Sequence, residues 1–203
     1  MGDREHLWTP EVGLVTHTQD ILNLIRAERL DDTILVGHSY GGAIMTLVAD
    51  QIPSRLSALV YVDAVIPEDG VPGWDSFPEP RKKEMLAGAE KLGGLRVPPP
   101  DPAIWGISSE DDAAWLRACC SAHPIKSMYD KPQLKQAWQA VGIKHYIVAG
   151  AHPNPRFLAH YHAVQNQLGW TSEVIAGGHD LMVTEPNALT AAIQRIATFC
   201  DRP

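Results

Sequence analysis

The stretch Thr33-Ile-Leu-Val-Gly-His-Ser-Tyr-Gly-Gly42 decides the fold of this chain. Residues 34–36 form an apolar run without polar alternation, which predicts a strand buried on both faces in a parallel sheet. From Ala43 onward the apolar residues recur at helical spacing. A Gly-x-Ser-x-Gly sequence at the turn between strand and helix predicts a sharp, strained bend, with flanking glycines that let the two elements pass closely. Such a bend lifts the hydroxyl of Ser39 above the sheet, so Ser39 is the predicted nucleophile.

A serine nucleophile needs a base within hydrogen-bond reach and donors for the oxyanion that develops. The predicted base is His179, which lies in a glycine-rich loop after the last predicted strand. The backbone N–H of Tyr40, at the start of the helix, is the predicted oxyanion donor, because the helix dipole favours negative charge there.

The acid that orients the base is less clearly marked in the sequence. Asp63 ends an otherwise apolar run, and a buried carboxylate is costly unless it is paired, so we predict that it bonds His179. A role for Asp63 as a capping or turn residue is the alternative. Asp180 adjoins the base in sequence and is poorly placed to accept a hydrogen bond from it.

Three stretches of the chain, residues 37–42, 61–70 and 177–180, resemble the α/β-hydrolase superfamily. The resemblance covers residues 2–199 and is closest to the branch of plant methyl-ester esterases, hydroxynitrile lyases and bacterial pyrethroid-type carboxylesterases. It implies hydrolysis of carboxylic esters through a Ser-His-Asp triad and an acyl-enzyme, with no cofactor. Many members place the acid after the strand that ends here at Gly150, where this chain has no carboxylate. Haloalkane dehalogenases are similar to this chain in having an acid at the position of Asp63.

The expected fold class is α/β, with a parallel sheet, flanking helices and a small inserted lid. The predicted core is 1–66 and 143–203, with strands beginning at Thr33 and covering 56–65, 145–150 and 172–176. The predicted lid, residues 67–142, is rich in proline and has two predicted helices, 81–92 and 109–120. Its large apolar side chains either line a pocket for small to medium hydrophobic esters or pack internally; they are Trp74, Phe77, Met85, Trp105 and Trp115.

The resemblance also implies strands ahead of the first helix that this sequence lacks, together with a His-Gly loop that gives a second oxyanion donor. The chain is therefore expected to be N-terminally shortened, either as a fragment or as a natural short form. An open edge at the Thr33 strand predicts a homodimer formed through that edge. Two other functions stay open. One is an inactive or ligand-binding remnant, and the other is a hydroxynitrile-lyase-type enzyme, whose relatives have a lysine where this chain has Asp180.

Composition excludes several other classes of function. The chain has 203 residues, 45% hydrophobic and 20% charged, and a formal net charge of -7, which disfavours nucleic acid and anionic membranes as partners.

No leader or long apolar run is evident, and three cysteines make no disulfide framework, so a cytoplasmic location is expected. We predict no metal, because the histidines at 152, 160 and 162 lack both a shared helix face and a completing ligand. The predicted partner is a small-molecule ester.

Overall fold

The computed structural model describes residues 2–151 and 153–200. In chain order the strands are β1 (Thr33–His38), β2 (Leu56–Val62), β3 (Arg96–Val97), β4 (His123–Pro124), β5 (Ile143–Ala149) and β6 (Trp170–Ile175). The helices are α1 (Leu14–Ala27), α2 (Gly41–Ala49), α3 (Glu79–Glu90), α4 (Glu110–Cys119), α5 (Lys126–Tyr129), α6 (Pro155–Val164), α7 (Leu181–Thr184) and α8 (Pro186–Cys200). Of these helices, none is both long enough and apolar enough to cross a membrane.

The main sheet has four strands in the order β1-β2-β5-β6, and every neighbouring pair is parallel. This arrangement confirms the predicted α/β fold with a four-stranded parallel sheet and flanking helices. Because the strands are parallel, the segments that follow β1, β2 and β6 all leave the sheet at the same edge. Those segments contain Ser39, Asp63 and His179, respectively.

The sheet's core is formed by its two inner strands and the helices packed on them. Alternate residues of β2 and β5 pack with Ile175, Leu181 and the apolar face of α8 in one buried cluster. Every residue of α2 except the first is buried. The prediction that the Thr33 strand is buried on both faces was wrong, because Val36 is 42% exposed and Ile34 and Leu35 are only partly buried. The physical reason is position, since β1 lies at the edge of the sheet and has a neighbouring strand on one side only among the described residues.

The chain divides into two compact units. One contains the residues up to His17 together with Glu68–Gln133, and the other contains Thr18–Pro67 and the residues from Leu134 onward. The first unit has its own apolar cluster, in which Met85 and Ala89 of α3 pack against Val97 and Ile125. It also contains the short antiparallel pair β3–β4, which the sequence did not predict. The proposed division into core and lid, with the lid at 67–142, stays a prediction.

The predicted elements of the sheet unit differ from the observed ones mainly at their ends. β2 stops at Val62 instead of Val65, because Asp63 adopts a φ of +41° and the chain turns out of the extended conformation. β5 covers Ile143–Ala149 where residues 145–150 were predicted, and β6 covers Trp170–Ile175 where residues 172–176 were predicted. Of these differences, only the one at Asp63 coincides with a positive φ.

The crossing of α2 over the end of β2 depends on the absence of a side chain at Gly42. A Cβ at this position would lie 2.9 Å from the Ala64 Cβ and would also collide with the carbonyl oxygen of Val65. We therefore expect Gly42→Ala to lower the free energy of unfolding by about 1–3 kcal/mol in urea denaturation, as overpacking does. Gly41→Ala is the matched control, because a Cβ there meets no atom within 4 Å. Equal losses in the two variants would contradict this account of the packing.

Candidate active site

Ser39 occupies the bend between β1 and α2 in a strained backbone conformation. Its φ is +53°, in the left-handed region that non-glycine residues seldom adopt. The bend is fixed by backbone hydrogen bonds, since the Ser39 N–H donates to the Val62 carbonyl at 3.2 Å and the Ser39 carbonyl accepts from the Val65 N–H at 3.0 Å. These bonds hold the serine side chain over the end of the sheet, and such strain is typical of functional sites.

The glycines around Ser39 have different roles from those predicted. A Cβ on Gly37 would lie 2.7 Å from both the Gly41 carbonyl oxygen and the Met45 sulfur, so glycine is required there for the close approach of strand and helix. Gly41 has open space around it, so the prediction that both flanking glycines serve this approach was wrong for Gly41. The second tight position is Gly42, one residue further along.

Asp63 lies directly after β2, and β2 pairs with β1, the strand that precedes Ser39. Its side chain is fully buried. The Ala149 N–H donates to Oδ1 at 3.1 Å, and the Asp63 N–H donates to the Ile147 carbonyl at 2.7 Å. The other carboxylate oxygen, Oδ2, lies 2.6 Å from Nδ1 of His179. Each carboxylate oxygen therefore has a partner, as a buried charge requires.

His179 forms hydrogen bonds with both Asp63 and Ser39. Its Nδ1 lies 2.6 Å from Asp63 and its Nε2 lies 2.9 Å from the Ser39 Oγ. Because an ionised carboxylate only accepts, Nδ1 is the donor to Asp63, which leaves Nε2 to accept the serine proton. The loop is held by the Gly178 N–H, which donates to the Thr184 hydroxyl at 3.2 Å. The structure thus brings the three predicted catalytic residues into one connected chain of hydrogen bonds that can move a proton from Ser39.

Two polar side chains, His38 and Asp180, adjoin His179 but take no part in the hydrogen bonds among Ser39, His179 and Asp63. His38 donates from Nε2 to the backbone carbonyl of His179 at 3.0 Å, and burial lowers the pKa of His38 to about 3. Its ring is therefore neutral at physiological pH. Asp180 has one oxygen 3.5 Å from the same His38 nitrogen, and burial raises its pKa. Neither group occupies a position between Ser39 and His179.

Tyr40, the predicted oxyanion donor, is the N-cap residue of α2 and follows Ser39 directly. Its backbone is already in the right-handed helical region, with φ of -56° and ψ of -31°. The amides at the start of a helix form a positive dipole end that suits an anion.

The predicted pocket residues all belong to the unit that contains Glu68–Gln133. Trp74 and Phe77 pack against the cluster that contains Met85. Trp105 lines an open pocket of about 290 Å³ together with prolines 99, 100 and 102. Trp115 is 56% exposed. Their predicted role in binding substrate stays a prediction.

The histidines considered for metal binding are His152, His160 and His162. His152 lies outside the described residues. His160 and His162 both lie on α6, and burial lowers the pKa of His160 to about 4. Ligand atoms of His38, His179 and Asp180 come within 4.8 Å of one another, but both ring nitrogens of His179 already bond Asp63 and Ser39. The absence of a metal stays a prediction.

Two residues that support the site were missed by the sequence analysis. Tyr146, buried in β5, donates its hydroxyl to the Ala64 carbonyl at 2.6 Å and accepts from the Ala64 N–H at 3.2 Å, which fixes the turn that follows Asp63. Phe157 of α6 lies parallel to the His179 ring, with the ring centroids 5.0 Å apart. A tyrosine within a buried strand was the available signal for the first residue. Helical periodicity gave no signal for the second.

Comparison with known proteins identifies the family of this chain. The model of the alpha/beta hydrolase family matches residues 2–193. The chain belongs to the alpha/beta hydrolase family. A relative, the carbendazim hydrolyzing esterase of Nocardioides sp. (strain SG-4G), is 36% identical, and the match covers 93% of this chain and 81% of the relative. By this relationship the chain is an esterase-type hydrolase of the alpha/beta hydrolase family.

Solved structures of other proteins share this fold. An extracellular alpha/beta-hydrolase from a Paenibacillus species superposes with a TM-score of 0.76 at 22% identity, covering 93% of this chain and 81% of that one. A pyrethroid hydrolase from Sphingobium faniae JZ-2 superposes with a TM-score of 0.64 at 20% identity, covering 100% of this chain and 82% of that one. The predicted resemblance to the alpha/beta hydrolases is confirmed.

Proposed function

We propose that the chain is a serine hydrolase that cleaves carboxylic esters of small to medium hydrophobic substrates through a Ser39-His179-Asp63 triad. The observation that carries the proposal is the pair of hydrogen bonds on one imidazole, 2.9 Å to the Ser39 Oγ and 2.6 Å to the Asp63 carboxylate. A nucleophile bonded to a base, with the base oriented by an acid, is the arrangement that acyl transfer requires.

In the proposed reaction, the Ser39 Oγ attacks the ester carbonyl carbon while His179 Nε2 takes the hydroxyl proton. The tetrahedral intermediate collapses as the imidazolium returns that proton to the leaving alcohol, which leaves an acyl group on Ser39. A water molecule, deprotonated by the same nitrogen, then hydrolyses the acyl-enzyme. Asp63 keeps the proton of His179 on Nδ1 and stabilises the imidazolium.

The oxyanion of both tetrahedral intermediates is proposed to bind the backbone N–H of Tyr40. Support comes from its position at the first turn of α2, where the helix dipole acts in the same direction. Removing one donor from an oxyanion hole typically lowers the rate by about 10²–10³-fold. The Tyr40 N–H is therefore expected to contribute a factor of that order to the rate.

The substrate class rests on the apolar side chains of the lid and on the relative at 36% identity. Trp74, Phe77, Met85, Trp105 and Trp115 are proposed to line the acyl or alkyl side of the pocket. Carbendazim is a second compound to assay, because the relative is named for its hydrolysis. The predicted cytoplasmic location stays a prediction.

Replacement of the nucleophile tests the reaction directly. We expect Ser39→Ala to lower the turnover of p-nitrophenyl butyrate by at least about 10³-fold, because the acyl-enzyme cannot form. A fluorophosphonate probe is expected to label Ser39 in the unmodified chain, with the site located by peptide mass spectrometry. Ser172→Ala, a change at a half-buried serine on β6, is the control and should be labelled normally. Turnover that survives Ser39→Ala refutes the assignment, and an unlabelled parent chain favours the inactive or ligand-binding remnant.

Replacement of each aspartate in turn tests whether Asp63 or Asp180 is the acid that orients His179. We expect Asp63→Asn to lower kcat by about 10³–10⁴-fold with little change in KM, because the amide favours the wrong imidazole tautomer. Asp180→Asn is the matched control, and its kcat should fall by less than about 10-fold, since its carboxylate does not contact His179 Nδ1. Circular dichroism of both variants checks that the fold is retained. A larger loss in Asp180→Asn would show that the acid is assigned to the wrong residue.

We also propose that two copies of the chain pair along β1. Support comes from the edge position of β1 and from the exposure of Val36 on it. Light scattering should give twice the monomer mass, and Val36→Lys should shift the mass towards the monomer. Val174→Lys on β6, at the opposite edge, is the control, because Val174 is 54% exposed. A monomeric parent chain contradicts the proposal.

A further inference from the structure

The His179 ring is packed against two other rings, and one of them is apolar. The Phe157 and His179 planes are inclined by 4° with centroids 5.0 Å apart, and the His38 ring lies 4.5 Å from the same imidazole at 44°. Parallel rings at this separation are in the favoured offset-stacked range. The contact with Phe157 therefore fixes the plane of an imidazole whose two nitrogens must point at Asp63 and Ser39 together.

Phe157 is itself held rigidly by the start of α6. Asn154 caps the helix by accepting from the Arg156 N–H at 3.0 Å, and Pro155 occupies the first turn. The Phe157 side chain is 5% exposed. A ring anchored in this way can act as a fixed surface for the histidine, because it has little freedom to move away from it.

The charge that forms during catalysis gives this contact a second role. When His179 takes the Ser39 proton it becomes an imidazolium cation, and a cation within about 6 Å of an aromatic centroid is attracted by the ring quadrupole. A parallel aromatic ring is therefore expected to favour the protonated histidine over the neutral one.

Charged and titratable side chains surround the Phe157 and His179 rings and change the strength of the attraction between them. Asp63 bonds Nδ1, and Asp180 adjoins the base in the loop. His38 adds no charge at neutral pH, because burial keeps it unprotonated. The Arg156 guanidinium lies 5.8 Å from the Phe157 centroid, where it competes for the same ring.

We propose that Phe157 is a positioning residue of the hydrolase, which orients the His179 imidazole and stabilises its protonated form through the face of its ring. This inference rests on the proposed function of His179 as the base. It concerns a residue of α6 that takes no part in the hydrogen-bonded chain from Ser39 to Asp63.

The experiment replaces Phe157 with mono-, di- and trifluorinated phenylalanine by site-specific incorporation. Fluorine withdraws electron density from the ring face and leaves the ring's size and packing nearly unchanged, so it separates electrostatic from structural effects. Two readouts are taken for each protein: the acid-limb midpoint of kcat/KM against pH, and the NMR titration midpoint of the His179 ring. The same substitution at Phe199, an exposed residue of α8, is the control.

We expect both midpoints to move to lower pH in step with the number of fluorines, by about half a pH unit for the trifluorinated ring. The direction follows because a weaker ring quadrupole disfavours the imidazolium. KM should stay unchanged, kcat on the plateau should fall several-fold, and fluorinated Phe199 should leave both midpoints in place. Phe157→Leu, which removes the ring, should move them at least as far, and Phe157→Tyr should restore them.

Midpoints that stay fixed through the fluorinated series overturn the proposal, even if Phe157→Leu loses activity, because the ring then acts by packing alone. The near-isosteric fluorinated proteins keep the test valid if Phe157→Leu does not fold. Failure of the proposed function has a different signature, since the parent chain would then resist the fluorophosphonate probe. The NMR titration is read whether or not the protein turns over an ester.

Discussion

A carboxylate without access to solvent lies at the end of β2, and its need for partners organises the site. An ionised carboxylate buried without compensation is costly by several kcal/mol, so both oxygens of Asp63 must be bonded. One oxygen accepts from the Ala149 N–H at the end of β5, and the other accepts from His179. The loop after β6 therefore has to close back over the sheet. The residue that satisfies the buried charge is the same one that reaches Ser39.

Ser39 and Asp63 are also linked through the backbone. Ser39 and Asp63 both have positive φ values, at the ends of the adjacent strands β1 and β2. Such conformations cost about 1–3 kcal/mol each and persist only where neighbouring structure fixes them. Here the Ser39 N–H and carbonyl bond residues on either side of Asp63, at Val62 and Val65. Each bend thus supports the other, and together they hold the Ser39 hydroxyl and the Asp63 carboxylate within hydrogen-bond reach of the same imidazole.

The sequence predicted the features that depend on local pattern. Alternating strand and helix patterns predicted the parallel sheet. The glycine-flanked turn predicted Ser39 as the nucleophile, and the aspartate at the end of an apolar run predicted Asp63 as the acid. The features it did not predict depend on tertiary neighbours. Residues 34–36 have the composition of a buried strand, and only the strand order shows that β1 lies at an edge. Phe157 has the pattern of any apolar residue on a helix, and its contact with His179 joins positions 22 residues apart.

The division of the chain separates the proposed chemistry from the side chains proposed to select the substrate. Ser39, Asp63 and His179, with Phe157 and Tyr146 behind them, all belong to the unit formed by Thr18–Pro67 and the residues from Leu134 onward. Of the proposed pocket residues, Trp74, Phe77 and Met85 pack in a separate apolar cluster that contains none of Ser39, Asp63 and His179. Substitutions in the Met85 cluster are therefore expected to alter packing within their own unit, while Ser39, His179 and Asp63 keep their hydrogen bonds. The proposed proton transfer and the proposed selection of substrate are thus assigned to different residues, which fits a fold whose function resides in the sites it carries.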